Sequence, residues 1–165
     1  MSSQIGSDVA PSNNVVACLG GDATVLEARP IPTPGTGELL LKLRCVGFCG
    51  TDLFKLTTGR VKPGMVLGHE LVGEIAGLGA GVNQFALGDR VAVPHHVSCG
   101  SCHLCLSDND TMCETFRDNL MEPGGFADYV LIRSRATAQA ARILPDTVSD
   151  AAAVFMEPAA CVMRG

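Results

Sequence analysis

Four cysteines, Cys99, Cys102, Cys105 and Cys113, stand in the pattern C-x2-C-x2-C-x7-C within fifteen residues of a 165-residue chain. No other feature constrains the fold as much, because four thiolates on one short loop can close a tetrahedral shell around a single Zn²⁺ at about 2.3 Å. A shell with four protein ligands leaves no position for a substrate, so this set is read as structural. Two other readings compete. A disulfide framework requires an oxidising compartment, yet Met1 to Asn14 is polar and lacks the apolar core of an export signal. Iron–sulfur runs of the bacterial ferredoxin type use a short last spacing followed by proline, whereas here the last spacing is seven and Glu114 follows Cys113. Zinc is the preferred occupant, and eight cysteines without an export signal point to a reducing, cytoplasmic setting.

A loop needs a body to protrude from, and the punctuation of the chain says what kind. Nineteen glycines and nine prolines, with one tyrosine and six phenylalanines as the only aromatics, favour many turns and short strands over long helices. Val15 to Leu19 and Thr24 to Arg29 flank the turn Gly20-Gly21-Asp22 as an opening hairpin, and residues 1–14 are expected to be a disordered lead-in. Glu38 to Val46, Leu71 to Leu78, Val91 to Val93, Phe126 to Ile132 and Ala141 to Leu144 read as further strands. Phe48 to Lys55 reads as a short helical turn capped by Thr51 or Asp52, and Asp150 starts an alanine-rich helical run that Pro158 interrupts. The expectation is a mainly β, barrel-like domain over residues 15–165 with short helices and a protruding metal loop at 99–113. Gly77-x-Gly79-x-Gly81 follows a strand but no helix-forming run comes after it, so it is read as a bend and not as a dinucleotide fingerprint. A net charge of −5 with no basic patch argues against nucleic acid, and no apolar run is long enough to span a bilayer.

A catalytic zinc keeps three protein ligands of mixed type and one exchangeable position. Cys49 follows a strand in a glycine-flanked turn, His69 with Glu70 follows Gly68 at a strand edge, and Glu157 stands in an otherwise apolar run. A lone carboxylate there is costly to bury without a cation. Plainer readings stay open at this point: Cys49 as core, His69 as a satisfied core histidine, and Glu157 as a cap for the helix that Pro158 begins.

The order of the motifs adds to this. Cys49-Gly50-Thr51-Asp52, Gly68-His69-Glu70, Gly88-Asp89-Arg90-Val91, the cysteine tetrad, Gly124-Gly125-Phe126-Ala127-Asp128-Tyr129 and Glu157-Pro158 follow one another in a sequence that resembles the zinc-dependent medium-chain alcohol dehydrogenases. The resemblance implies a GroES-like catalytic domain with one structural and one catalytic zinc. It implies Cys49, His69 and Glu157 as inner ligands of the catalytic metal and Glu70 as a neighbouring or exchanging ligand. It implies Thr51 as the hydroxyl that receives the substrate proton and Asp52 as the carboxylate holding the second nitrogen of His69. The implied activity is oxidation of an alcohol, with Glu157 leaning toward a polyol, by hydride transfer to NAD⁺ or NADP⁺. The implied full-length enzyme is a homo-oligomer.

Two departures from the family pattern stand out. Many relatives carry a relay histidine two positions after the aspartate, where this chain has Phe54; His95 is a substitute candidate, and cleft wall or surface is the plainer reading for His95 and His96. Further, the nucleotide-binding Rossmann half of the family is absent from residues 1–165, so the chain is expected to be a fragment or a natural short protein, inactive alone. A zinc-stabilised scaffold without catalysis is the rival reading. Cys18, Cys45 and Cys161 are read as small buried hydrophobes.

Overall fold

The computed structural model describes residues 11–164. Strands β1 (Ser12–Gly20) and β2 (Ala23–Pro30) form the opening hairpin, antiparallel about a turn in which Gly21 has φ +59°. Of the expected lead-in, residues 1–10 lie outside the described residues, but Ser12 to Asn14 already belong to β1. The reason is Asn13, which is 1% exposed. Its side-chain amide donates to Tyr129 O and its carbonyl accepts from Tyr129 N, both at 2.8 Å, so a polar residue is buried with its bonds satisfied.

Strands β3 (Leu39–Gly47), β4 (Glu70–Leu78), β5 (Arg90–Val93), β6 (Met121–Glu122), β7 (Tyr129–Ile132) and β8 (Arg142–Ile143) build one antiparallel sheet in the order β6-β7-β3-β4-β5-β8. Single bridges from Val15 to Ala127 and from Ala17 to Val66 attach the hairpin to the segments that flank it. β4 lies near the middle and is buried on both faces. Leu71 and Ile75 pack with Leu39, Leu41, Val91, Val93, Val130 and Ile132, while Val72 on the other face meets Ala92, Ala153 and Val154. Each such side chain contributes about 1.5–3 kcal/mol on burial, so the strand that begins at Glu70 is a rigid platform.

The helices are short: α1 (Gly50–Thr57), α2 (His103–Leu106), α3 (Ser134–Gln139), α4 (Asp150–Ala153) and α5 (Met156–Arg164), with a 3-10 turn at Asp110–Met112. Several differ from expectation. The N-cap of α1 is Cys49, not Thr51 or Asp52, because its Sγ accepts from Thr51 N while Asp52 reaches back to Cys49 N. Pro158 does not interrupt the C-terminal run. It sits in the first turn of α5, where its missing N–H costs nothing, and the break falls earlier at Val154 and Phe155. The strand expected from Phe126 begins only at Tyr129, because Phe126 and Asp128 spend their carbonyls on Val16 N and Leu43 N, both at 2.8 Å. Of Ala141 to Leu144 only two residues pair as β8. The glycine stretch after β4 is the bend expected: a Cβ on Gly79 would overlap Gly35 O, and Gly81 has φ +82°.

Candidate metal centres

The tetrad loop folds as α2 and the 3-10 turn, and it brings one sulfur of each cysteine within 4.8 Å of the other three. Cys99 Sγ lies 3.8 Å and Cys102 Sγ 3.5 Å from Cys105 Sγ. A zinc tetrahedron with bonds of about 2.3 Å has edges of about 3.8 Å, so the sulfurs are spaced for that ion. The backbone is arranged for anionic sulfur as well. Cys99 Sγ accepts from Ser101 N and Cys102 N, and Cys113 Sγ accepts from Cys99 N. The Ser101 N–H and hydroxyl, then the Cys102 N–H, pull the Cys99 thiol down to about 5. Thiolate is the form a metal binds.

A second centre is built where β3 ends and β4 begins. The two strands pair so that Gly47 faces Glu70. A Cβ at position 47 would overlap the Glu70 carboxylate, so glycine there makes the room that this side chain fills. Just beyond Gly47, Cys49 caps α1, and Asp52 on the same turn is completely buried. Asp52 accepts from Cys49 N at 3.2 Å and Gly68 N at 3.4 Å, and its Oδ1 stands 3.4 Å from His69 Nδ1. Gly68 reaches this bond with φ +88°, a conformation open mainly to glycine, and it packs directly on Gly125 and Phe126. The motif pairs seen in the sequence are thus one physical unit: the second pair of glycines lets the His69 turn approach.

Charge at the centre follows from these contacts. The hydrogen bond with Asp52, working against burial, lifts His69 to about 9. Burial opposes ionisation of Asp52, but the His69 bond and the Gly68 and Cys49 N–H groups outweigh it and hold the carboxyl below its usual range. Nδ1 of His69 being committed to Asp52, its second nitrogen is the one left to face a ligand, the arrangement that fixes a metal-binding imidazole. Burial raises Glu157 above the ordinary carboxylate range.

Two groups of donor atoms meet at His69. Cys49, His69 and Glu70 have one ligand atom each within 4.8 Å of one another, and so do His69, His95 and Glu157. Cys49 and Glu157, expected in one inner shell, fall in different groups that share His69. Thr51 is exposed at the start of α1, and Phe54 is exposed with the Arg60 guanidinium 5.1 Å from its ring centroid, so the relay position holds no proton carrier. Cys161 is exposed, not buried, with Sγ 3.7 Å from Glu157 Oε1. Cys18 is buried and Cys45 half-buried, as small hydrophobes are. The residue that sequence reasoning underrated is His95, whose ring lies 4.4 Å from that of His69 and 3.6 Å from that of His96. Burial first, then the neighbouring His96, press it down to about 3, so its contact with Glu157 is not an ion pair at neutral pH. A cleft of about 610 Å³ opens beside this centre, with Asp52, Lys55, His69, His95, His96 and Arg117 in its wall. No described helix is long and apolar enough to cross a membrane.

Known proteins share this architecture. The chain is 37% identical over 141 residues to sorbitol dehydrogenase of Bacillus subtilis, covering 81% of this chain and 38% of the relative. It is 34% identical over 139 residues to L-threonine 3-dehydrogenase of Stenotrophomonas maltophilia, covering 81% and 40%. A solved structure described as a short chain alcohol dehydrogenase from Escherichia coli CFT073, complexed with NADH, superposes with a TM-score of 0.74 at 31% identity over 89% of this chain and 42% of that one. The chain therefore spans about 40% of the length of the curated relatives it matches. Residues 35–144 match the alcohol dehydrogenase GroES-like domain, and the chain belongs to that family.

Proposed function

We propose that the centre around His69 is the zinc site of an alcohol or polyol dehydrogenase acting with NAD⁺ or NADP⁺, and that the tetrad is its structural zinc site. The observation that carries this reading is the placement of His69. Its Nδ1 stands 3.4 Å from a buried carboxylate, the ring has thiol and carboxylate donors within reach, and it lines a cleft. The donor types fit Zn²⁺ with an exchangeable position. Cys49, His69 and Glu157 are the ligands carried over from the family, and Glu70, held against Gly47, is the carboxylate able to exchange with them.

Zinc bound here supplies Lewis acidity that lowers an alcohol's pKa and readies its carbon to give up hydride, and the nicotinamide supplies the acceptor. The chain's own residues do the rest. Asp52 keeps the His69 ring oriented through Nδ1. The Thr51 hydroxyl takes the substrate proton and, being exposed with Phe54 in the relay position, passes it to water. The sorbitol and threonine dehydrogenase relatives support a substrate with more than one polar group. The dinucleotide site belongs to a unit outside residues 1–165, as the matched share of the relatives supports. The working enzyme is proposed to be a cytoplasmic homo-oligomer.

Metal analysis of the purified chain tests the reading. Two zinc ions per chain are expected, one lost in Cys49→Ala and the other in Cys102→Ala. A single zinc, indifferent to Cys49→Ala, overturns it in favour of a zinc-stabilised scaffold.

A further inference from the structure

We propose that His95 is itself a zinc ligand, binding through Nδ1 alongside His69 and Glu157. The inference rests on the reading above that a zinc occupies this centre, and it adds a donor that the family ligand set does not include.

The first observation is an orphan. His95 Nδ1 is buried and has no hydrogen-bond partner among the described residues. Buried polar atoms in native proteins are satisfied nearly always, by protein, water or an ion. The second observation is a distance. Glu157 Oε1 is 3.5 Å away and forms no hydrogen bond with it. Nitrogen and oxygen ligands at about 2.0–2.1 Å from a tetrahedral zinc stand about 3.3 Å apart. The separation seen therefore matches that of two donors sharing an ion.

Topology explains why His95 is there. β4 and β5 pair with Leu71 opposite Val93, Val72 opposite Ala92 and Gly73 opposite Val91. Each pair sums to the same number, and continuing that register past the ends of the strands sets residue 69 opposite residue 95. His69 and His95 thus flank the paired ends of β4 and β5, just outside both strands, and their rings meet at 4.4 Å. Two imidazoles and a carboxylate form a known donor set for an open zinc site. On this assignment an ion held by His69 lies between a Cys49–Glu70 side and a His95–Glu157 side. Drawing it toward the second replaces an anionic sulfur with a neutral nitrogen and leaves the ion more electrophilic.

Cobalt(II) substitution of the whole chain tests this, with the tetrad as an internal control for folding. In His95→Asn the metal at the tetrad is expected to keep its affinity and spectrum. The metal at the second centre is expected to bind at least about tenfold more weakly with altered visible absorption. His95→Cys is expected to restore affinity and to add a sulfur-to-cobalt charge-transfer band that the Asn variant lacks. Unchanged affinity and spectrum in His95→Asn, while Cys49→Ala or His69→Ala still loses the second metal, overturns the role of His95 and leaves the dehydrogenase reading standing. If all three variants retain the second metal, or the parent chain binds only one, both fall together.

Discussion

Asp52 shows how much one residue organises. It closes the capping box of α1, receives the Gly68 N–H, and sits against His69, all without exposure to solvent. In the metal-free chain the Asp52–His69 pair has a defined pH window. His69 rises from its ordinary 6.5 to about 9, so its share of the stability is complete below 6.5 and is lost as pH climbs through about 9. Asp52 is depressed, so its share is present above the ordinary carboxylate range and is lost as pH falls through its lowered value. Zinc competes with the His69 proton. Its apparent affinity at this centre is expected to rise by about tenfold per pH unit from this proton alone, levelling off above pH ~9. Calorimetry of zinc loading in two buffers of unlike ionisation enthalpy checks this through the number of protons released. An affinity independent of pH between neutrality and pH ~9 contradicts the protonated imidazole.

At the scale of elements, the approach of α4 and α5 to the sheet decides where Glu157 stands. Arg44 on β3 and Arg90 on β5 both grip Asp150, at 2.8 and 2.9 Å, and Arg90 also donates to Pro145 O and Val148 O. Asp150 in turn opens α4 behind the Ser149 cap. The Arg44 bond, against burial, holds Asp150 below the usual carboxylate range. Asp150→Ala is expected to lower Tm by about 2–4 °C at neutral pH and to weaken zinc binding at the Glu157 side, the tetrad metal being unaffected. Because the carboxyl is depressed, the difference in Tm between parent and variant should shrink as pH falls. Thermal melts across that range read it directly. Elements were unevenly legible in the sequence. Alternation marked β1 and β3, glycine-marked turns bounded the apolar runs of β4 and β5, and cysteine spacing marked the zinc loop because ligand geometry restricts it. The Cys49 cap was missed because sulfur is not among the usual capping atoms, and Asn13 because its partner Tyr129 is 116 residues away. His95 was seen only as a candidate because its place opposite His69 depends on a register that no local pattern contains.

Across the whole molecule, one sheet supports a metal centre and little else of a dehydrogenase site. His69 and His95 line one cleft, and residues 49, 70 and 157 place further donors near His69, so the metal-binding half of the proposed dehydrogenase site is built from residues 49–157. Among the described residues nothing comparable exists for a dinucleotide. The glycine cluster after β4 is spent on a tight bend, where Gly79 N donates to Glu38 O at 2.9 Å, and no helix begins behind it to receive a pyrophosphate. A nicotinamide must be held about in contact with the reacting carbon for hydride to pass, and proximity of this kind is a large share of the rate. The 165-residue chain loaded with two zinc ions is accordingly expected to give no measurable NADH or NADPH from sorbitol or threonine. The same residues joined to a nucleotide-binding unit are expected to turn over and to lose that activity in Thr51→Val with both zinc ions retained. Absorbance of reduced nicotinamide follows both arms, and turnover by the 165-residue chain alone would show that a cofactor binds where the fold offers no place for it.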